Sequence, residues 1–149
     1  MPLFYRLMAR TLLLDHIVHS DLKSTKAVFS DLRRFSEFHP LFIGIEETGN
    51  STYIIKERMP FGGFPFKYKA VVIDNAEKNE VMYIAYPFFI TLTITFAFSS
   101  DGPDTRIKES IHIKGPIIAT DILRSLIGKM HPRVVADLNK KMLAENGKK

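Results

Sequence analysis

Residues 28–42, VFSDLRRFSEFHPLF, carry the reading that decides the fold. With Leu22 just upstream, the apolar residues Val28, Phe29, Leu32, Phe35 and Phe38 recur at helical spacings. The spacing predicts two short helices with a break near Ser30-Asp31. Asp21 or Ser24 is positioned to cap the first, and Asp31 to cap the second, because a short side-chain oxygen can accept from the free N–H groups of a first turn. Pro40 disfavours helix at His39 and ends the run.

Outward from this segment the pattern changes to two-residue periodicity. Upstream, TLLLDHIVH at 11–19 predicts a strand bounded by Ser20-Asp21. Downstream, strands are predicted at 41–47 (LFIGIEE), 52–59 (TYIIKERM), 66–74 (FKYKAVVID), 80–86 (EVMYIAY), 88–98 (FFITLTITFAF) and 105–114 (TRIKESIHIK). Gly49-Asn50, the polar run Asn75–Asn79, Pro87 and the loop 99–104 separate them. After Gly115-Pro116, Ile122, Leu126, Met130, Val134, Leu138 and Met142 recur every four residues, flanked by Leu123, Ile127 and Val135. This is the wide apolar stripe of one long helix, with a kink expected at Pro132, which cannot donate to the carbonyl of Gly128. Six hairpin-linked strands cannot lie flat on one helix. A twisted sheet should curl and leave a space beneath it.

Composition narrows the class. A chain of 149 residues, 46% hydrophobic and 25% charged, has the size and balance of one globular domain. It contains no cysteine, which excludes disulfides and thiol chemistry and is consistent with a reducing, cytoplasmic compartment. Arg6 and Arg10 interrupt the apolar N-terminus, which reads as part of the fold and not as a signal peptide. No apolar run reaches the roughly 18 to 20 residues of a membrane-spanning helix. The net charge is +5, and residues 101–149 hold 10 basic against 6 acidic groups. A solvated basic helix accounts for that excess. Transient contact with an anionic membrane surface would also suit it, whereas no nucleic-acid-binding motif accompanies it.

The order strand, two short helices, six strands, long helix resembles the helix-grip fold of the START-like superfamily, also called SRPBCC. Within VFSDLRRFSEFHPLF the resemblance lies in the Val-Phe start, the aspartate and the aromatic-His-Pro corner, with Phe38 where many members have tryptophan. Thr105-Arg106-Ile107 and Gly115-Pro116 are similar to the family's lead into its final helix. The resemblance covers about residues 11–145 and leaves 1–10 as a possible N-terminal extension of a single domain, 1–149. It implies an α+β fold with an elongated apolar cavity between sheet and helix. Members use such a cavity to bind lipids, polyketides, sterols or hormones. The polyketide cyclase/dehydrase-like members also catalyse cyclisation or dehydration, and cochaperone members act by protein contact. No catalytic residue is common to the superfamily, and no cofactor is implied.

Candidate residues follow from strand alternation. Glu109 shares a face with Ile107, Ile111 and Ile113, a carboxyl among apolar groups, and so is a candidate acid or base or ligand hydrogen-bonding group, unless a bulge shifts the register or it pairs with Arg58 or Arg106 near the rim. Tyr53 and Glu57 share the presumed inner face of their strand, so Glu57 is a second candidate carboxylate. Tyr68 and Tyr83 offer hydroxyls to a ligand, with a structural hydrogen bond as the plainer role. Phe66, Phe88, Ile111, Ile122, Leu126 and Met130 are candidate cavity wall. His39 reads as a corner residue, His112 as exposed, and His131 as a helix-surface residue, with approach to a cavity mouth as its alternative. The five histidines show no metal-ligand spacing, and no metal site is predicted. Finally, ERMPFGGFPFKYK at 57–69 holds more phenylalanine than a turn needs. Gly62-Gly63 as hinge and Phe61, Phe64 and Phe66 as apolar cover suit a lid, either a mobile gate like that of the hormone receptors or a fixed plug. Tyr86-Pro87-Phe88 falls where those receptors have a second closing loop.

Overall fold

In the computed structural model, residues 7–59 and 64–146 are described. Seven strands, β1 (Leu7–Val18), β2 (Phe42–Gly49), β3 (Thr52–Glu57), β4 (Phe66–Asn75), β5 (Glu80–Ala85), β6 (Thr91–Asp101) and β7 (Asp104–Pro116), form one antiparallel sheet in the order β1-β7-β6-β5-β4-β3-β2. Two short helices, α1 (Leu22–Ser30) and α2 (Leu32–Ser36), lie between β1 and β2, and one long helix, α3 (Ile117–Asn146), follows β7 directly. This is the α+β helix-grip arrangement.

The capping chemistry is local. Asp21 accepts from the Ser24 amide at 3.2 Å and starts α1, and Asp31 accepts from the Arg33 amide at 3.0 Å and starts α2. Asp31 is extended, with φ −115° and ψ 107°, so one residue ends one helix and caps the next. Phe29, Leu32 and Phe35 carry this helix pair into the core, where Phe29 packs on Phe96 and Phe98 with ring centroids 4.9 and 5.5 Å apart.

The strands alternate strictly where it matters. On β7, Thr105, Ile107, Glu109, Ile111, Ile113 and Gly115 are buried while the intervening residues are exposed. On β6, Leu92, Ile94, Phe96 and Phe98 are buried. Three boundaries differ from expectation. β1 begins at Leu7, because residues 7–10 continue the ladder against Ile113–Pro116. β6 begins at Thr91 instead of residue 88, because Pro87–Ile90 forms a turn closed by the Ile90 amide donating to the Pro87 carbonyl at 3.0 Å. The expected loop at 99–104 shrinks to Gly102-Pro103, with Gly102 at φ +60° and Asp101 paired with Asp104. Helix α3 continues through Pro132.

The helix does not lie evenly on the sheet. It packs chiefly on β1 and β7, where Gly128 comes within 3.4 Å of Leu12 measured from an ideal Cβ position. Over β3 to β6 the two layers separate, and the space between them is the cavity.

Candidate functional site

The cavity holds about 180 Å³. Its sheet wall comes from β3 (Ile55, Glu57), β4 (Phe66, Tyr68, Ala70), β5 (Tyr83, Ala85) and β6 (Leu92, Ile94). Its helix wall is Ala119, Ile122, Leu123, Leu126, Ile127, Met130 and His131. Leu32, Phe35, His39 and Phe42 contribute from the helix pair and the corner after it. The lining is therefore apolar except for His39, Glu57, Tyr68, His131 and the ring-bound hydroxyl of Tyr83. Among the described residues, no lysine or arginine lines it.

Each polar group is held differently. His39 is buried, and its Nδ1 accepts from the Leu41 amide at 3.3 Å, so the ring is neutral with its proton on Nε2. Burial, reinforced by the neighbouring His131, pushes its pKa down to about 3. The ring stacks on Phe42 at 3.9 Å and meets His131 edge-on at 5.9 Å. Glu57 is 7% exposed, and its Oε1 accepts from the Tyr68 hydroxyl at 3.4 Å. Burial pushes its pKa up to about 7, against the smaller opposing pull of Tyr68 and His131. Glu57 has no cationic partner in an ion pair among the described residues.

Behind His131 lies Glu109, 1% exposed. Its two oxygens are divided between two histidines: His16 Nε2 approaches Oε1 at 2.8 Å, and His131 Nδ1 approaches Oε2 in a short hydrogen bond. Burial by itself would raise the pKa of Glu109. The charge and hydrogen bond of His131, with those of His16, outweigh it and hold the carboxyl at about 2. An ionised carboxylate only accepts, so each facing imidazole nitrogen carries a proton. The chain His16–Glu109–His131 thus ties β1, β7 and α3 together and fixes how the His131 ring is turned.

Several expected residues meet in this place and several do not. Glu57, Phe66, Tyr68, Tyr83, Phe88, Ile122, Leu126 and Met130 line the cavity. Glu109 does not: it lies on β7 where the helix sits directly on the sheet, and it pairs with histidines instead of Arg58 or Arg106. Arg106 bonds Asp15 on the outer face at 2.6 Å. Ile111 is fully buried beside Glu109 on the same strand, outside the lining for the same reason. Tyr53 is buried but lies further along β3 than the lining residues. The Tyr83 hydroxyl donates to the Phe29 carbonyl at 2.5 Å, so only the ring faces the cavity. Phe64 is 94% exposed and covers nothing among the described residues. Phe61 and the glycines Gly62-Gly63, expected as a hinge, lie outside the described residues.

The mouth is aromatic. Phe66 and Phe88 stack at 4.6 Å and join the β3–β4 side of the opening to the β5–β6 turn. Phe88 has φ +53°, a left-handed conformation costly for a bulky side chain, and it is 63% exposed. Gly115 makes that turn possible. A Cβ there would lie 3.0 Å from the Phe89 carbonyl oxygen and 3.0 Å from Ile90 Cγ1.

Three histidines therefore matter: His39 and His131, the second expected at the helix surface or near a cavity mouth, line the cavity, and His16 holds Glu109. His131 was legible as a member of the apolar stripe, four residues from both Ile127 and Val135. His16 continues the inward row Leu12, Leu14, His16, Val18 on β1. His39 carried no signal beyond its place before Pro40. Among the described residues, no three histidine, aspartate or glutamate side chains are arranged to hold a metal ion. No helix among them is long and apolar enough to cross a membrane.

No family model matches the sequence, and no curated protein sequence matches it. Solved structures do match. A START superfamily protein from Mycobacterium smegmatis superposes with a TM-score of 0.73 at 11% identity, covering 88% of this chain and 95% of that one. Norcoclaurine synthase from Thalictrum flavum matches with a TM-score of 0.69 at 18% identity, over 93% of this chain and 88% of that one. The Zhui aromatase/cyclase from Streptomyces sp. R1128 matches with a TM-score of 0.67 at 9% identity, over 91% and 96%. At these identities the likeness establishes the fold, and the fold is START-like.

Proposed function

We propose that this protein binds a small, mainly apolar molecule in the cavity between β3–β6 and α3. The observation that carries the proposal is the arrangement of the cavity itself: apolar walls, with His39, Glu57, Tyr68 and His131 as the polar exceptions. Apolar lining supplies affinity, and a few placed polar groups supply orientation. An ordinary packed core would leave no such space. The fold's neighbours include aromatase/cyclases, which supports a lipid, polyketide or aromatic ligand. An interaction module of the cochaperone type would need no cavity.

The neutral dye N-phenyl-1-naphthylamine tests this reading. Saturable fluorescence enhancement is expected with the native protein. It should be lost in Ala85→Phe, which fills the cavity, and in Ala119→Leu from the helix side, with circular dichroism unchanged. Equal enhancement in all three proteins would overturn it.

A second reading, acid–base catalysis, is favoured by one observation. His131, its Nδ1 committed to Glu109, faces the same cavity as Glu57, a carboxyl with a pKa near 7. A carboxyl that titrates near neutrality suits proton transfer. In this reading His131 and Glu57 touch the substrate, and Glu109 is a positioning residue acting through His131. A cyclisation or dehydration fits that pair.

A further inference from the structure

The reading of the cavity as a ligand site leaves open what polar group the ligand carries, and the charge inventory decides among the classes. A carboxylate ligand would need a cation, but among the described residues neither lysine nor arginine lines the cavity. The histidines do not replace them. His39 is locked in a neutral form by the Leu41 amide at its Nδ1. The N–H at His131 Nδ1 is already donated in a hydrogen bond to Glu109, whose carboxylate lies against that ring. Glu109 in turn is enclosed by His16 and His131 and is 1% exposed, so it faces no ligand.

Glu57 is the exception. It is more than nine-tenths buried, it lines the cavity, and its one hydrogen bond among the described residues is a long one from Tyr68 to Oε1. Oε2 has no partner among those residues. A buried carboxylate without a counter-charge costs several kcal/mol, and the charge closest to balancing it is a cation brought in by the ligand. A neutral hydroxyl could bond Glu57 but would leave the charge unbalanced.

We infer that the cavity takes an amphiphilic amine, an aromatic or aliphatic body with a protonated amino group that pairs with Glu57. The amine's N–H groups would bond Oε2 while the body lies against Ile55, Leu92, Leu126 and Ile127. Charge-assisted bonds of this kind are about twice as strong as neutral ones, and excluding water strengthens them.

The test uses three matched probes on the full chain by isothermal titration at pH 7.5: 2-naphthylmethylamine, 2-naphthylmethanol and 2-naphthoic acid. The amine should bind at least about tenfold more tightly than the alcohol, and the acid most weakly. Glu57→Gln keeps the shape and the acceptor for Tyr68, and in it the amine and alcohol should bind alike. If the alcohol or acid equals or exceeds the amine, or if Glu57→Gln leaves the preference unchanged, the amine assignment is wrong while the cavity remains a ligand site. If none of the three binds and N-phenyl-1-naphthylamine does not either, the ligand-site reading itself fails.

Discussion

The carboxylate of Glu109 joins His16 on the first strand to His131 on the last helix, one imidazole to each oxygen. The two histidines are 115 residues apart in sequence (131 − 16), and the carboxylate between them lies on the strand that adjoins both elements. It acts as a brace between helix and sheet at the point where the layers touch, next to where they part to form the cavity.

Removal of that brace has a defined pH signature. The folded-state pKa of Glu109, about 2, lies below its ordinary 4.5. Its contribution to stability is therefore complete above pH 4.5 and is lost as the pH falls through 2. The shift corresponds to about 3 kcal/mol. Glu109→Gln should lower stability at pH 7 by roughly 3 kcal/mol, since it leaves two buried imidazoles without their anion. Its urea midpoint should change less than that of the native protein between pH 4.5 and 2. Equal midpoints for the two proteins at pH 7 would contradict the brace.

Glu57 has the opposite sign. Its folded-state pKa is about 7, raised from 4.5, so the folded protein binds the proton more tightly than the unfolded chain does. The stabilising effect of that bound proton is whole below pH 4.5 and disappears as the pH rises through 7. Above that, the buried carboxylate opposes folding by about 3 kcal/mol. Glu57→Gln is expected to raise the melting temperature at pH 8 and to change it little at pH 4. A lower melting temperature at pH 8 would show that Glu57 has a partner that stabilises its charge.

His39 opposes folding in acid. Its pKa falls from 6.5 to about 3 on burial, so between those values the unfolded chain holds a proton that the folded protein excludes. Its stability contribution is full above pH 6.5 and is lost progressively as the pH drops toward 3. His39→Asn keeps an acceptor for the Leu41 amide and cannot titrate. The difference in melting temperature between native protein and variant should shift in favour of the variant from pH 7.5 to 4.5.

Gly115 supports the mouth of the cavity. A methyl group there would meet the Phe89 carbonyl and Ile90 at 3.0 Å, and a backbone oxygen has little room to yield. Gly115→Ala should cost roughly 1–3 kcal/mol in a chemical melt. Because the displaced turn carries Phe88 over the opening, N-phenyl-1-naphthylamine should also bind more weakly. An unchanged melt would mean that the turn relaxes freely.

Much of this architecture was legible because it depends on periodicity. The inward row of β7 and the Asp31 cap follow from residue type and spacing, and so does the apolar stripe of α3. What the spacing could not show is how far the helix stands from each strand. Alternation placed Glu109 and Glu57 on inner faces alike. One is sealed beneath the helix and the other opens on the cavity, because α3 rests on β1 and β7 and parts from β3–β6. The partners of Glu109 were hidden for a related reason: His16, Glu109 and His131 are far apart in the chain and meet only through the pairing of β1 with β7 and the docking of α3. Alternation put Phe88 at the start of a strand, whereas the resemblance put Tyr86-Pro87-Phe88 in a connecting loop; its place in a turn at positive φ depends on Gly115, 27 residues onward (115 − 88).

The central claim is that ligand binds inside this cavity, and methyl NMR of isoleucine-labelled protein tests it most directly. On titration with 2-naphthylmethylamine, the signals of Ile55, Ile94 and Ile127, which line the cavity, should shift with one common dissociation constant. Those of Ile73 on the outer surface and Ile107 in the closed part of the core should stay in place. Shifts confined to Ile73 and other exposed positions, with the three lining residues unmoved, would contradict the account.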